Sequence, residues 1–282
     1  MPVYRKILAE GSRLLEDAGI EDSRTDAWLL MESIIKMPRS RYFMIQEEKM
    51  PEEQEAKYRG LIEKRRSHIP VQQILGEAWF WGMRFVVNEH VLIPRQDTEV
   101  LITEVLDRIN REREKEADCR ILDMCTGSGC ILISLLSEMK QATGTGVDVS
   151  SKALEIARKN GKDHEAKADW ILSSLFTEVK GTYDVIVSNP PYIASKEIEK
   201  LSEEVKDHEP RLALDGMEDG LYFYRKITEE AGGYLNPGGI LAYEIGYDQG
   251  KAVASMLEEA GYYDIKVLKD LAGLDRVVSG RK

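Results

Sequence analysis

Arg120-Ile-Leu-Asp-Met-Cys-Thr-Gly-Ser-Gly-Cys-Ile-Leu-Ile-Ser-Leu-Leu136 opens as a strand and closes as a helix. Arg120–Met124 is a short apolar run of strand length. Cys125-Thr-Gly-Ser-Gly129 is a tight turn, and a helix begins at Cys130. Gly127 and Gly129 let the backbone turn sharply and come close to a ligand. Downstream the alternation repeats. Thr145-Gly-Val-Asp148 ends a second strand, and Ser150 caps a helix that runs to a C-cap at Asn160-Gly161. Further strands are expected at Trp170–Ser173, Tyr183–Ser188, Gly239–Ile245, Tyr262–Leu268 and Arg276–Ser279, with helices at Leu221–Tyr234 and Gln249–Ala260. Strands separated by helices imply an α/β fold with a seven-stranded, mostly parallel, doubly wound sheet.

Upstream the pattern is different. Val3, Ile7, Leu8, Leu14 and Leu15 fall on one helical face. Asp22 to Thr25 offers N-caps for a second helix carrying Ala27, Leu30, Met31 and Ile34, and Pro51-Glu-Glu opens a third. Residues 1–72 therefore read as a small helical domain that docks a substrate, closes as a lid, or caps the fold structurally. Residues 73–112 read as a connection. Ile69–Gly76 leads into Trp79-Phe-Trp-Gly-Met-Arg-Phe-Val-Val87, whose alternation predicts a hairpin, and a helix follows from about Glu99 to Asn110. The polar run from Asn110 to Asp118 marks the start of the sheet domain, residues 113–282.

The chain has 282 residues, 43% hydrophobic and 32% charged, which are values of a globular protein with room for a sizeable core. Its net charge of -11 disfavours a large non-specific hold on nucleic acid. The start Met1-Pro-Val-Tyr-Arg-Lys lacks the apolar region of a signal peptide, and no run approaches the ~18 apolar residues of a membrane span. Cys119, Cys125 and Cys130 lack metal-ligand or disulfide spacing, and His68, His90, His164 and His208 are scattered. A cytoplasmic, metal-free protein is the expectation.

The chemistry concentrates after strands. The turn Asp123-Met-Cys-Thr-Gly-Ser-Gly129 lacks the third glycine of a dinucleotide fingerprint, since Leu132 stands there, and there is no P-loop lysine. Asp148 ends the next strand, near the offset at which acids bind ribose hydroxyls; as a bland alternative it caps the following helix. A nucleoside without pyrophosphate fits, with S-adenosylmethionine the candidate. Asp123 would bond the turn's backbone or the methionyl amine. After Val185-Ile-Val187, Asn189-Pro190-Pro191-Tyr192 ends a strand abruptly, because two prolines cannot extend a ladder. This stiff corner offers an amide (Asn189), a carbonyl (Pro190) and an aromatic face (Tyr192). Such a set can accept two hydrogen bonds from a planar amino group and stack on its plane.

Asp-x-x-Thr-Gly-Ser-Gly, Gly146-Val-Asp148 and Asn189-Pro-Pro-Tyr192, in that order, resemble class I, Rossmann-like methyltransferases that modify planar amino groups. Pro70–Gly76, Leu92–Glu99, Glu209–Gly216 with Gly220-Leu221, Ala242–Gly246 and Asp270–Val278 narrow the resemblance to the peptide chain release factor glutamine methyltransferases, from roughly residue 69 to the end. The resemblance implies transfer of a methyl group from S-adenosylmethionine to the glutamine amide nitrogen of the Gly-Gly-Gln motif in class 1 release factors. The chain would act as a monomer, without stable nucleic-acid or membrane partners. It implies a catalytic set of Asn189, Pro190 and Tyr192, a substrate set that adds Pro191, and a cofactor set of Asp123, Cys125, Thr126, Gly127, Ser128, Gly129, Asp148, Leu175 and Asn189. Cys125 departs from a common glycine, Ser174 from a usual acid, and Leu175 lies near the adenine. Arg95, Glu99, Glu209 and Arg211 either contact the release factor or lock the two domains together. Glu244 lies near the cleft without an assigned role. A glutamine methyltransferase for a ribosomal protein, a DNA or RNA amino-methyltransferase and a non-enzymatic cofactor-binding scaffold are the competing readings.

Overall fold

The computed structural model describes residues 1–112 and 118–282. The polar boundary expected between Asn110 and Asp118 therefore falls partly outside the described residues, at 113–117. The chain forms two compact units, Met1–Glu77 with Ser202–His208, and Ala78–Leu201 with Glu209–Lys282.

The first unit is helical. It contains α1 Tyr4–Asp17, α2 Ser23–Ile35, α3 Arg39–Ile45, α4 Glu52–Arg66 and α5 Val71–Leu75. Ile7, Leu15, Leu30 and Met31 are at most 1% exposed, and each such burial is worth about 1.5–3 kcal/mol. Val3 does not join the helical face; it is the N-cap of α1 and bridges to Lys49. Pro51 is the N-cap of α4, and three acids in the first turn and three bases in the last complement the helix dipole. Ser202–His208, which the sequence pattern includes in the sheet domain at residues 113–282, packs with this unit. Arg65 donates to Asp26 at 2.6 Å and to Glu204 at 2.8 Å, and Gln73 donates to the His208 carbonyl at 2.8 Å.

The second unit, from Ala78, carries all but the first residue of a small sheet, β1 Glu77–Phe80 with β2 Met83–Val86, then α6 Glu99–Glu112. The main elements follow as β3 Arg120–Met124, α7 Cys130–Glu138, β4 Thr143–Asp148, α8 Ser151–Asp163, β5 Ala168–Leu172 and β6 Tyr183–Ser188. After the excursion through α9 Glu203–Lys206 come α10 Arg211–Leu214, α11 Tyr222–Tyr234, β7 Leu235–Glu244, α12 Gly250–Glu259, β8 Tyr263–Lys269 and β9 Asp275–Arg281. Among the described residues the main sheet has seven strands in the order β5-β4-β3-β6-β7-β9-β8, parallel except where β9 runs against both neighbours.

Adjacent residues of one strand feed opposite cores, as the pleat requires. Val185 and Val187 pack with α6 and α7 side chains, while Ile186 packs with those of α11 and α12. Burial on both faces explains why β6 reads as a continuous apolar run. Most expected boundaries in the sheet unit hold to within two residues, and two move further. Gly161 lies inside α8 instead of capping it, because the helix presses on Trp170 and an added Cβ would lie 2.8 Å from the indole. β7 starts at Leu235 rather than Gly239, with Pro237 accommodated beside a register irregularity near Tyr183–Val185.

Candidate active site

The strand order reverses direction between β3 and β6, and open α/β sheets bind ligands beyond the strand ends at such a point. A cavity of about 340 Å³ opens there, within the usual range of small-molecule sites. The ends of β3, β4 and β6 deliver Cys125–Ser128, Asp148 and Asn189 to its wall, joined by Leu175 and Pro191. Asp123, Gly129, Pro190 and Tyr192 are close to these wall residues in the chain and are not themselves part of the lining.

The glycine turn is held from two sides. Thr126 N–H donates to the Val147 carbonyl at 2.9 Å, and its hydroxyl donates to Asp123 Oδ2 at 2.5 Å. Asp123 thus bonds a turn side chain. It is fully buried, Oδ1 has no hydrogen-bond partner among the described residues, and burial pushes its carboxyl up to about 7. Asp148 Oδ2 accepts from Gly127 N–H at 2.9 Å and Oδ1 from Ser150 N–H at 2.8 Å. Burial raises its carboxyl above the ordinary value, and those amides oppose the rise. Ser150 Oγ accepts from Ala153 N–H at 3.2 Å, the expected cap.

Three wall residues other than glycine hold positive φ: Cys125 at 63°, Leu175 at 49° and Met217 at 70°. Such backbone is costly for a side chain and concentrates at functional sites. It gives Cys125 a physical account: the position needs the conformation a glycine adopts freely. Leu175 is kept in its turn by Ser173, whose hydroxyl donates to the Leu175 carbonyl at 2.8 Å.

The proline corner is braced by neighbours far away in sequence. Gln249 Nε2 donates to the Tyr192 carbonyl at 2.9 Å. Gly216 and Gly220 allow the close approach: a Cβ on Gly220 would lie 2.3 Å from that carbonyl, and one on Gly216 would lie 2.8 Å from Tyr192 Cα. Ile193 pairs with Asp215 in a parallel bridge. Tyr192 packs toward the core of Tyr224 and Tyr243.

The polar residues of unknown role turn out to bond within the second unit. Arg95 pairs with Glu209 at 2.7 Å, and Glu209 also accepts from Ile93 N–H at 3.2 Å. Glu99 accepts from Trp81 N–H at 2.9 Å, and Arg211 pairs with Glu199 and Asp215, each at 3.4 Å. Sequence reasoning had no role for the apolar rim, where Leu212 (57%), Met217 (46%) and Tyr222 (40%) are exposed. Large apolar residues in a glycine-flanked loop were the available signal.

The parallel sheet with one reversed strand is that of the Rossmann-like class I methyltransferases. The protein is a methyltransferase of that class. Solved structures share the fold: a methyltransferase from Pyrococcus furiosus (TM-score 0.53, 19% identity, covering 78% of this chain and 98% of that one) and the hMettl16 catalytic domain in complex with the MAT2A 3'UTR hairpin 6 (TM-score 0.56, 17% identity, covering 71% and 76%). Residues 6–76 match the family described as PrmC N-terminal domain, and residues 98–217 match the methyltransferase small domain. The chain is 38% identical over 278 residues to the release factor glutamine methyltransferase of Geobacter sulfurreducens, covering 98% of this chain and 96% of that relative. It is 40% identical over 271 residues to that of Caulobacter vibrioides, covering 95% and 92%. The chain belongs to the release factor glutamine methyltransferase family.

Proposed function

We propose that this chain methylates the side-chain amide nitrogen of the glutamine in the Gly-Gly-Gln segment of class 1 peptide chain release factors, with S-adenosylmethionine as donor. The observation that carries this reading is Asn189 on the wall of the same cavity as Asp148 and the Gly127 turn.

The residues fit the cofactor. Asp148 is an acceptor on the wall, placed as ribose hydroxyls require, and it already fixes the turn through Gly127 N–H. A Cβ on Gly127 would meet nothing within 4 Å, so its backbone borders open space. Leu175 supplies an apolar surface for the adenine, and Cys125, Thr126 and Ser128 complete the turn. Asp123 and Gly129 belong to the same cofactor turn, Asp123 through its bond from the Thr126 hydroxyl. When bound, S-adenosylmethionine supplies a methyl group on a sulfonium.

The chain's own task is to prepare the nucleophile. An amide nitrogen is a poor one, because its lone pair is delocalised into the carbonyl. Asn189 Oδ1 and the Pro190 carbonyl accept the two amide hydrogens and fix the nitrogen. Orientation of this kind can contribute up to about 7–11 kcal/mol. The same oxygen dipoles stabilise positive charge developing on nitrogen. No strong general base is required, since the methylated product can lose its proton after transfer. Pro191 stiffens the corner, and Tyr192 holds it against the core. The exposed Leu212, Met217 and Tyr222 offer apolar contact to a peptide entering the slot. The acidic balance favours a protein substrate over nucleic acid, and the proposed compartment is the cytoplasm.

The test is intact mass. Purified release factor incubated with the protein and S-adenosylmethionine should gain one methyl group, located on the Gly-Gly-Gln glutamine. Methylation of a ribosomal protein or plasmid DNA instead, with the release factor unchanged, would overturn the reading.

A further inference from the structure

Glu244 stands where β7 leaves the sheet beside the proline corner. Ser188 of β6 pairs with Tyr243 of β7, so one step further along these parallel strands Asn189 and Glu244 are neighbours. Glu244 is 2% exposed, and its Oε2 has no hydrogen-bond partner among the described residues. Thr98 and Asn189, both on the cavity wall, are near enough to this carboxyl to favour its charged form. Arg276 also attracts it, but its guanidinium is already engaged by Asp270 at 3.0 Å and Asp97 at 3.5 Å.

An ionised carboxylate only accepts hydrogen bonds, whereas a carboxamide donates at one end and accepts at the other. The two ends of an asparagine are nearly equal in shape, so the neighbour decides which way it faces. We propose that Glu244 is a positioning residue that orients the Asn189 carboxamide, drawing Nδ2 toward itself and leaving Oδ1 to accept from the substrate amide. The opposite orientation would set one NH2 group against another and lose the bond that fixes the nucleophile. This inference rests on the cleft being a carboxamide-methylating site.

Protonation of Glu244 would release the constraint, because a carboxylic acid can donate as well as accept. Burial pushes the group up to about 7, so the charged form prevails above neutral pH. The other groups facing it are Arg276 on β9, Asp97 and Thr98 before α6, Tyr192 at the corner, Tyr224 on α11 and Cys130 on α7.

The experiment compares the full chain with Glu244→Gln and Glu244→Asp. Release factor is the substrate, and peptides containing Gly-Gly-Gln or Gly-Gly-Glu are binding probes. Glu244→Gln should keep its unfolding temperature and its calorimetric affinity for S-adenosylmethionine. Its kcat should fall on the order of 10–100-fold, the usual cost of losing an orienting partner, with little change in KM. The kcat of the wild type should rise through a limb near pH 7 that the Gln variant lacks. The preference for the Gln peptide over the Glu peptide should narrow, because a reoriented Asn189 can donate to a carboxylate. Glu244→Asp should keep both the limb and the preference. Wild-type kcat and preference in Glu244→Gln would overturn the proposal. If that variant fails to fold, loss of the preference in a folded Glu244→Asp would overturn it, and retention would support it. A wild-type protein that leaves release factor unmethylated removes the functional reading itself, which is a separate outcome.

Discussion

Buried carboxylates are treated in two ways: some are paired with arginine, as Asp26 in the helical unit and Glu104 and Glu209 in the sheet unit, and others, found in the sheet unit, keep an oxygen without a partner among the described residues. In the helical unit Asp26 is 5% exposed and meets Arg65 at 2.6 Å, and Arg65 in turn reaches Glu204 and the Ile69 carbonyl. Burial still holds the Asp26 carboxyl above its ordinary value, against the pull of Arg65. In the sheet unit Asp123 and Glu244 are as deeply buried, yet each keeps one oxygen without a partner among the described residues. Both flank the cleft. Paired acids of the first kind give the fold its shape. Acids of the second kind are costly to keep and are explained by what they do to neighbours, Thr126 in one case and Asn189 in the other.

The comparison breaks most sharply at the corner. Asn189→Ala should lower methyl transfer by about 10²–10³-fold, the scale of losing one preorganised partner, without changing calorimetric affinity for S-adenosylmethionine. Asp148→Ala should do the reverse and weaken that affinity by roughly 10–100-fold, as expected for lost hydrogen bonds to a charged group. Equal effects of the two changes on binding would overturn the proposed roles of Asn189 toward the substrate amide and Asp148 toward the cofactor.

In the helical unit the expected loss is stability. Arg65→Met leaves Asp26 buried without its cation, which should cost about 3–5 kcal/mol and lower the unfolding temperature. Cofactor affinity, measured below that temperature, should stay at the wild-type value. An unfolding temperature equal to that of the wild type would show that this pair does not hold the unit.

The smallest effect is with pH. The folded-state value of Asp123, about 7, lies above the ordinary 3.8. The folded protein therefore holds a proton that the unfolded chain has released across that window. The stability it contributes is fully present below the ordinary value and is lost as pH rises through about 7. Wild-type unfolding temperature should therefore fall between about pH 5 and about pH 8. Asp123→Asn should reduce that slope without removing it, because Glu244 titrates in the same range. An identical slope in the variant would show that Asp123 is not the group responsible.

Much of this was legible in the chain. Tyr183–Ser188 is a strand with the expected ends, Ser150 caps α8, and Asp148 and Asn189 reach one cavity. Gly161, the start of β7 and the Ser202–His208 excursion were not legible. Gly161 answers to Trp170, Pro237 to a strand irregularity, and the excursion to Arg65 and Gln73. Each depends on a partner remote in sequence.

By itself the sequence determined the periods of helix and strand, the glycine turn, and the corner that two prolines impose, because these follow from the conformational limits of neighbouring residues. Only the tertiary structure decided which acids are solvated, which are paired and which are buried with an oxygen to spare. That choice depends on the dielectric and the donors that distant strands bring together, and Glu244 next to Asn189 is its clearest instance.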